Sequence, residues 1–384
     1  MKITRRQLQL GMIAATIASP SLLRAQNKDV LRVGVMLPFS GIASVEGLQT
    51  IKGVELAVEE FNASGKFNRT IEIVKEDDEA NASKGVAGVR KLIENYEVPF
   101  IVGSYASAVS LAATRIAREY EVAMLSGGST GAVVTDDNPV GNPWFFRAFP
   151  DSNAQGEHTA QDTIRVLGKK RIAIMHDRTP YGTSLAEQVK RVVEQEPGGE
   201  IVFMDSYATG EQDFYPVLTR LREVQPEAVY IGGWAADGAM LVRQAAEVGL
   251  NTQFVGSGSM ITDDFIRLAG PASEGFAVAT LYEPTTTNPH GKAFGERFFK
   301  RYGEQANTMS GLGYDSMAVG LEALARVGEP DALAIQKMIY TGMADFPIVT
   351  GPGEQTAKFT EKGGVEYRMM MSQIRDGKRQ ILVS

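Results

Sequence analysis

The sequence predicts an α/β protein built as two doubly wound parallel-sheet lobes. Three observations predict it. Short β-rich apolar runs alternate with one-sided helical periodicity along most of the chain. The alternation breaks and restarts once, near residue 170. The runs end mostly in Gly, small hydroxyl or aromatic residues. Such alternation implies right-handed βαβ units and parallel sheets. A chain of 384 residues, 43% hydrophobic, is long enough for two such domains.

The first run, "VLRVGVMLPFS" (Val30 to Ser40), is a buried-strand pattern. Ile51, Val54, Ala57, Val58 and Phe61 then share one helical face. Strand-like "TIEIVKEDD" follows, then a helix from about Asn81 to Asn95, then strand-like "PFIVGS". The acidic stretch "KEDDEA" (Lys75 to Ala80) reads as a solvated strand end rather than a cation site. The rhythm restarts at "RIAIMHD" (Arg171 to Asp177), with a helix from about Tyr181 to Gln195. "EIVFMDSY" precedes a helix whose apolar face is Phe214, Val217, Leu218, Leu221 and Val224. "AVYIGGW" is the next strand, and a helix runs from it to about Val248. The last third is less regular: helical patterns near Gly291–Tyr302 and Met309–Val327, then a hairpin around Asp376-Gly377.

In doubly wound sheets ligands sit beyond the carboxyl ends of the strands. Two of these ends run straight from an apolar strand into a hydroxyl-rich helix start: "IVGSYASAVSLAATRIA" (Ile101 to Ala117) and "AMLSGGSTGAVV" (Ala123 to Val134). First-turn amides are unpaired, and the helix dipole favours an anion beside them. Ser and Thr are also the preferred helix caps, so one such loop has a purely local explanation. Two on successive strands aim at one crevice. Trp234 follows Gly-Gly at another strand end, where its indole projects into the crevice or packs in the core. Tyr181, in "DRTPYG", lines the second lobe's wall or packs at a helix start.

"GGSTG" (Gly127 to Gly131) matches the nucleophile elbow of serine hydrolases, with Ser129 as nucleophile and Asp263 or Asp264 and His290 in the right chain order. The doubled lobe pattern is unlike a single hydrolase sheet. "GSGSM" (Gly256 to Met260) lacks the third glycine of a dinucleotide loop. His158, His176 and His290 show no paired spacing, so no metal site is predicted.

The first 25 residues have a basic start, a short apolar run from Leu10 to Ala18 and a small-residue cut site after Ala25. They predict an export signal rather than a membrane span. Arg5-Arg6 followed by Gln-Leu fits the twin-arginine type. Four basic side chains and no acid lie in that stretch, so the remainder carries a net charge of −11. That argues against nucleic acid or an anionic membrane surface as partner. The absence of cysteine excludes disulfides, thiolate metal sites and an N-terminal lipid anchor on cysteine, and predicts a soluble periplasmic protein.

"VGVMLPFSGIASVEG", "GVELAVEEFNASG", "RIAIMHDRTPYGTSLAEQVK", "YIGGWAADGAMLVRQAAEVGLNTQFVG" and "LAGPASEGFAV" resemble, in order, the leucine/isoleucine/valine-binding protein family. These are periplasmic solute receptors of ABC importers. The resemblance implies the type I periplasmic binding protein fold, with three crossovers placed near Phe149, Val278 and Thr350. The first lobe would comprise 27–149 and 279–350, the second 150–278 and 351–384. It implies a branched-chain or related amino acid as ligand, an ABC permease as partner, no catalytic activity and no cofactor. By family correspondence Ser107 and Thr130 bind the ligand carboxylate, and Thr130 and the Gly128 carbonyl its ammonium. Tyr181 and Trp234 close over it. Gly258 stands where the family usually has an acid for the ammonium, and Glu46 stands where an aromatic residue is usual. Either Glu46 supplies the counter-charge, or the ligand is an aromatic or aliphatic carboxylate without an ammonium, or Glu46 is an ordinary helix-start acid.

Overall fold

The apolar alternation from Val30 to Phe146 folds into one parallel sheet. A computed structural model describes residues 30–383; the predicted export signal lies outside the described residues. The first lobe runs β1 (Val30–Leu37), α1 (Ser44–Ser64), β2 (Thr70–Asp77), α2 (Ala82–Tyr96), β3 (Phe100–Gly103), α3 (Ser107–Glu119), β4 (Ala123–Leu125), α4 (Ala132–Asp136) and β5 (Phe145–Phe146). Its strands lie in the order β2-β1-β3-β4-β5, every pair parallel. All residues of β3, β4 and β5 are buried, as expected where helices cover both faces.

The second lobe repeats the plan with α5 (Ser152–Arg165), β6 (Arg171–Asp177), α6 (Pro180–Gln195), β7 (Glu200–Tyr207), α7 (Tyr215–Val224), β8 (Ala228–Gly232), α8 (Ala235–Glu247), β9 (Gln253–Gly256), α9 (Asp263–Ala269) and β10 (Ala277–Thr280). The chain then returns to the first lobe as α10 (Pro289–Tyr302), α11 (Thr308–Val327) and α12 (Ala332–Gly342). A two-stranded ribbon, β11 (Pro347–Ile348) and β12 (Gln355–Thr356), precedes the final hairpin of β13 (Met370–Arg375) and β14 (Lys378–Val383). The second sheet has the order β7-β6-β8-β9-β10-β13-β14. It is parallel through β10, and the hairpin turning at Asp376-Gly377 adds two antiparallel strands.

Sequence caps set several helix starts. Asn81, Asp151, Thr179, Asn288, Asn307 and Asp331 each accept a first-turn amide. Close approach of α1 and α11 depends on missing side chains. A Cβ on Gly53 would sit 1.8 Å from the Ser310 carbonyl oxygen, and one on Gly313 2.2 Å from that of Thr50.

The three passages between lobes run side by side. Arg147 N–H donates to Gly363 O (2.8 Å), and Val365 N–H to Arg147 O (3.1 Å). Gly351 N–H donates to Leu281 O (2.6 Å). The third passage departs from the sequence expectation. Residues 357–365, assigned to the second lobe, pack on the first. Phe359 stands edge-on to Phe146 (5.2 Å), and Asn138 Nδ2 donates to Lys362 O (2.9 Å). The chain leaves the first lobe after about Val365 rather than at Thr350. This stretch has neither helical nor strand periodicity, so nothing local marked its lobe. "KEDDEA" departs as well. Asp77 is exposed, but Asp78 is buried, accepting from Ser104 Oγ (2.6 Å) and Ala80 N (2.8 Å).

Asp315 on α11 is buried and ties that helix to the segment that follows β11. It accepts from Val349 N (2.7 Å), Thr350 N (3.0 Å) and Thr350 Oγ1 (2.7 Å). Asp315→Ala strands these three donors and is expected to cost about 2–4 kcal/mol of unfolding free energy. Urea denaturation measures it; a loss below about 1 kcal/mol would show that the tie contributes little.

Candidate functional site

Each sheet reverses its strand order between its first and third strands, at β1/β3 and at β6/β8. Helices leave in opposite directions there and open a crevice at the carboxyl ends. The two crevices face each other. The loops after β3 and β4 meet those after β6 and β9 around a cleft whose non-atom space, open solvent included, is about 290 Å³. The first lobe lines it with Tyr105, Gly128 and Thr130, the second with Tyr181, Gly258 and Ser259. The floor comes from α5, the passages and α11: Gln155, Ala279, Leu281, Met309, Leu312 and Met369, with Thr308 beside them. No residue in this wall carries a formal charge.

The loop from Ser126 to Gly131 has all its later carbonyls engaged on one side. Ser129 O accepts from Ser126 Oγ (3.0 Å) and Arg147 Nη1 (3.4 Å). Thr130 O accepts from Ser152 N (2.7 Å), and Gly131 O from Arg147 Nη1 (3.3 Å). The amides of Ser129 and Thr130 take part in no hydrogen bond found among the described residues. Thr130 Oγ1 is buried and also has no partner. Gly128 has φ +153°, and a Cβ there would lie 2.1 Å from the Tyr105 ring, so this wall position requires glycine.

Ser107 does not line the cavity. It is the first residue of α3 and accepts from Gly131 N (3.0 Å) and Ser129 Oγ (3.2 Å), tying the two hydroxyl-rich loops together. Its own hydroxyl proton remains available. Tyr181 reaches the cavity from the start of α6. Trp234, expected to project into the crevice, instead stands behind two tyrosines, 6.0 Å from the Tyr105 ring and 5.9 Å from that of Tyr181. Its Nε1 is buried without a partner. The sequence reading missed Tyr105 and the floor. Tyr105 occupies a strand end as the others do; the floor residues come from segments with no shared local pattern.

Glu46 is buried in the first turn of α1 and reaches across the cleft. Its Oε1 accepts from Ala235 N (3.3 Å), the first residue of α8, while Oε2 has no partner. Burial pushes its pKa up to about 7, with Asp237 and Asp264 adding repulsion and two backbone hydrogen bonds opposing.

The hydrolase constellation is not assembled. Ser129 donates to Ser107. His290 lines a separate cleft with Glu60, Arg297 and Tyr314, and Asp263 and Asp264 pair with Arg379 and Arg267. Among the described residues no group of His, Cys, Asp or Glu could hold a metal ion, and no helix is long and apolar enough to cross a membrane.

A family model described as periplasmic binding protein matches residues 30–379. The chain is similar to Leu/Ile/Val-binding protein homolog 1 of Brucella suis, 30% identical over 249 residues, which is 64% of this chain and 65% of that relative's length. Among solved structures it superposes on a leucine binding protein from Thermotoga maritima with a TM-score of 0.81 at 26% identity, covering 91% of this chain and 97% of that one. It also superposes on a solute-binding protein from R. palustris in complex with benzoate, with a TM-score of 0.83 at 23% identity, covering 92% and 96%.

A raised carboxyl pKa means that the folded, closed protein holds the Glu46 proton more tightly than an exposed form does. The cost of ionising Glu46 therefore grows as pH climbs from 4.5 toward about 7 and is full above that. Glu46→Gln keeps the acceptor for Ala235 N and removes the ionisation. It is expected to be more stable than wild type by about 1–3 kcal/mol at pH 8 and equal to it near pH 4.5. Thermal unfolding of both proteins across this range checks it; a stability difference independent of pH would contradict the assignment.

Proposed function

The chain belongs to the periplasmic binding protein family, and from that premise we propose that it is the exported receptor of an ABC importer, closing two lobes over a small carboxylate-bearing solute. The observation that carries this reading is the Ser126–Gly131 loop. The Ser129 carbonyl is held from behind, which turns the Thr130 amide forward; that amide, the unpaired Ser129 amide and the Thr130 hydroxyl are the donors for a carboxylate. Ser107 positions that loop and has a hydroxyl proton to add. Leu281, Met309, Leu312 and Met369 offer an apolar floor for the rest of the solute. Tyr105 and Tyr181 close over it, and Trp234 backs both rings. Closure is driven by whatever affinity the solute has for the closed form beyond the open one. The closed shape is then what the permease recognises. The predicted export signal places this work in the periplasm.

The uncharged wall favours a carboxylate without an ammonium, aromatic or aliphatic. Gly258 supplies no acid, and Glu46 is occupied at the start of α8. A buried ammonium without a counter-charge would cost several kcal/mol. The second reading, a branched-chain amino acid, has one observation in its favour: the unpartnered Oε2 of Glu46. It also agrees with the names of the similar proteins.

Thermal shift and calorimetry with matched pairs separate these readings. L-Isoleucine against 3-methylpentanoate isolates the amino group, and benzoate against benzamide isolates the carboxylate. Shifts given only by the amide would overturn the carboxylate reading; a strong preference for L-isoleucine would favour the second ligand class. Thr130→Val is expected to weaken carboxylate binding by about 1–3 kcal/mol. It should leave the unliganded melting temperature nearly unchanged, because Oγ1 bonds nothing in the protein. Gly258→Asp tests the missing acid. A Cβ at 258 meets only Ala279 O and Gln155 Oε1, both at 3.8 Å, so the backbone there admits a side chain. It is expected to raise the L-isoleucine to 3-methylpentanoate affinity ratio about 10-fold or more; an unchanged ratio would place the amino group elsewhere.

A further inference from the structure

Arg147 follows β5 in an apolar run, "WFFRAFP", and is 1% exposed, among the largest fully buried side chains. Its contacts divide by side. Toward the cleft loop, Nη1 donates to the carbonyls of Ser129 (3.4 Å) and Gly131 (3.3 Å), and Nη2 donates to Thr135 Oγ1 (2.8 Å). The acids near it lie toward solvent. Asp151 is 3.7 Å away and 28% exposed, and Asp136 is exposed. No buried carboxylate neutralises the guanidinium, and its Nε has no partner. Burial pulls its pKa down to about 10, which leaves it protonated at neutral pH.

A trans peptide is planar, with its N–H opposed to its C=O. A cation on the Ser129 carbonyl therefore sits at the far end of the peptide whose N–H belongs to Thr130. That residue lines the cavity, and its amide has no protein acceptor. A charge on the carbonyl end polarises the peptide and strengthens its donor end. It also fixes the loop, so the donors are oriented before the solute arrives. The cavity wall itself holds no lysine or arginine.

We propose that Arg147 is a positioning residue for solute binding: from behind the Ser129–Gly131 loop it supplies the positive charge by which an uncharged cavity prefers a carboxylate to its neutral isostere. The proposal rests on the carboxylate reading of the site. It assigns to a residue that never touches the solute the discrimination between an anion and an equally shaped amide.

The test measures affinities by calorimetry for two pairs, benzoate with benzamide and 3-methylpentanoate with 3-methylpentanamide. Proteins are wild type, Arg147→Met and Arg147→Lys. Loss of the charge should lower the carboxylate-to-amide affinity ratio about 10-fold in Arg147→Met, the difference between hydrogen bonds made to charged and to neutral groups. Arg147→Lys, which keeps the charge, should retain most of the ratio. Equal weakening of acid and amide in Arg147→Met would overturn the role and leave the carboxylate reading standing. A wild type that prefers both amides would overturn that reading itself, before any variant is made. Should Arg147→Met not fold, two measurements remain. Arg147→Lys must keep the ratio, and the wild-type ratio must persist in 1 M salt, because a buried charge is little screened. A wild-type ratio that collapses in salt would place the selectivity in surface charges and refute the proposal.

Discussion

The cleft depends on where the carbonyl groups of one short loop point. A peptide cannot turn its C=O one way without turning its N–H the other. From Ser129 to Gly131 every carbonyl is bound on the side away from the cavity, by Ser126, Arg147 and the Ser152 amide. The Thr130 amide faces forward because the Ser129 carbonyl of the same peptide is used behind, while the next two amides, of Gly131 and Ala132, are spent on Ser107 Oγ and Ser152 Oγ. Gly128 lets the backbone approach Tyr105 closely enough for that face to form the wall. Ser152 opens α5, so the same hydrogen bonds that orient the loop also anchor the first passage between lobes.

That anchoring links the site to the hinge. The passages are joined by backbone hydrogen bonds, and Leu281 and Met369 from them complete the floor begun by α5 and α11. The floor is common to both lobes, while the walls belong to one or the other. On the proposed reading, bending the passages would separate Tyr181 and Ser259 from Thr130 and Gly128, so that the cavity would be complete only when the lobes meet and binding would be coupled to shape.

The sequence showed the parts of this that are local. Strand ends tipped by Gly, Ser, Thr and Tyr are visible as residue types at the end of an apolar run, and Gly128, Thr130 and Tyr181, which line the cavity, stand at such ends. The role of Ser107 was visible only in half: the hydroxyl is where the pattern put it, but its contacts are to Gly131 and Ser129. For Trp234 the pattern leaves crevice and core both open, because a strand-end position does not tell which ring stands before which. Leu281, Met309, Leu312 and Met369 were invisible. Leu281 and Met369 lie in irregular passages and Met309 and Leu312 at the start of α11, so no local pattern shows that they converge. Arg147 did leave a signal. A charge between Phe145, Phe146, Ala148 and Phe149 has nowhere exposed to go, and a buried arginine needs several acceptors.

Two buried charges flank the cleft, and they differ in when they lose water. Arg147 is covered by its own lobe: Ser129, Gly131 and Thr135 are all first-lobe residues. Its hydrogen bonds are therefore made on folding and do not depend on the lobes closing. Glu46 is different. Part of its cover, and the amide it bonds, belong to α8 in the second lobe. Its desolvation falls on the closing step and opposes it, more so as the carboxyl ionises. On the proposed reading, a receptor that closes on its solute and later releases it would use the permanent charge for binding and the conditional charge for the motion. Attraction for an anion would then be present in the open first lobe, while the closed form would keep a built-in tendency to reopen that the bound solute has to overcome.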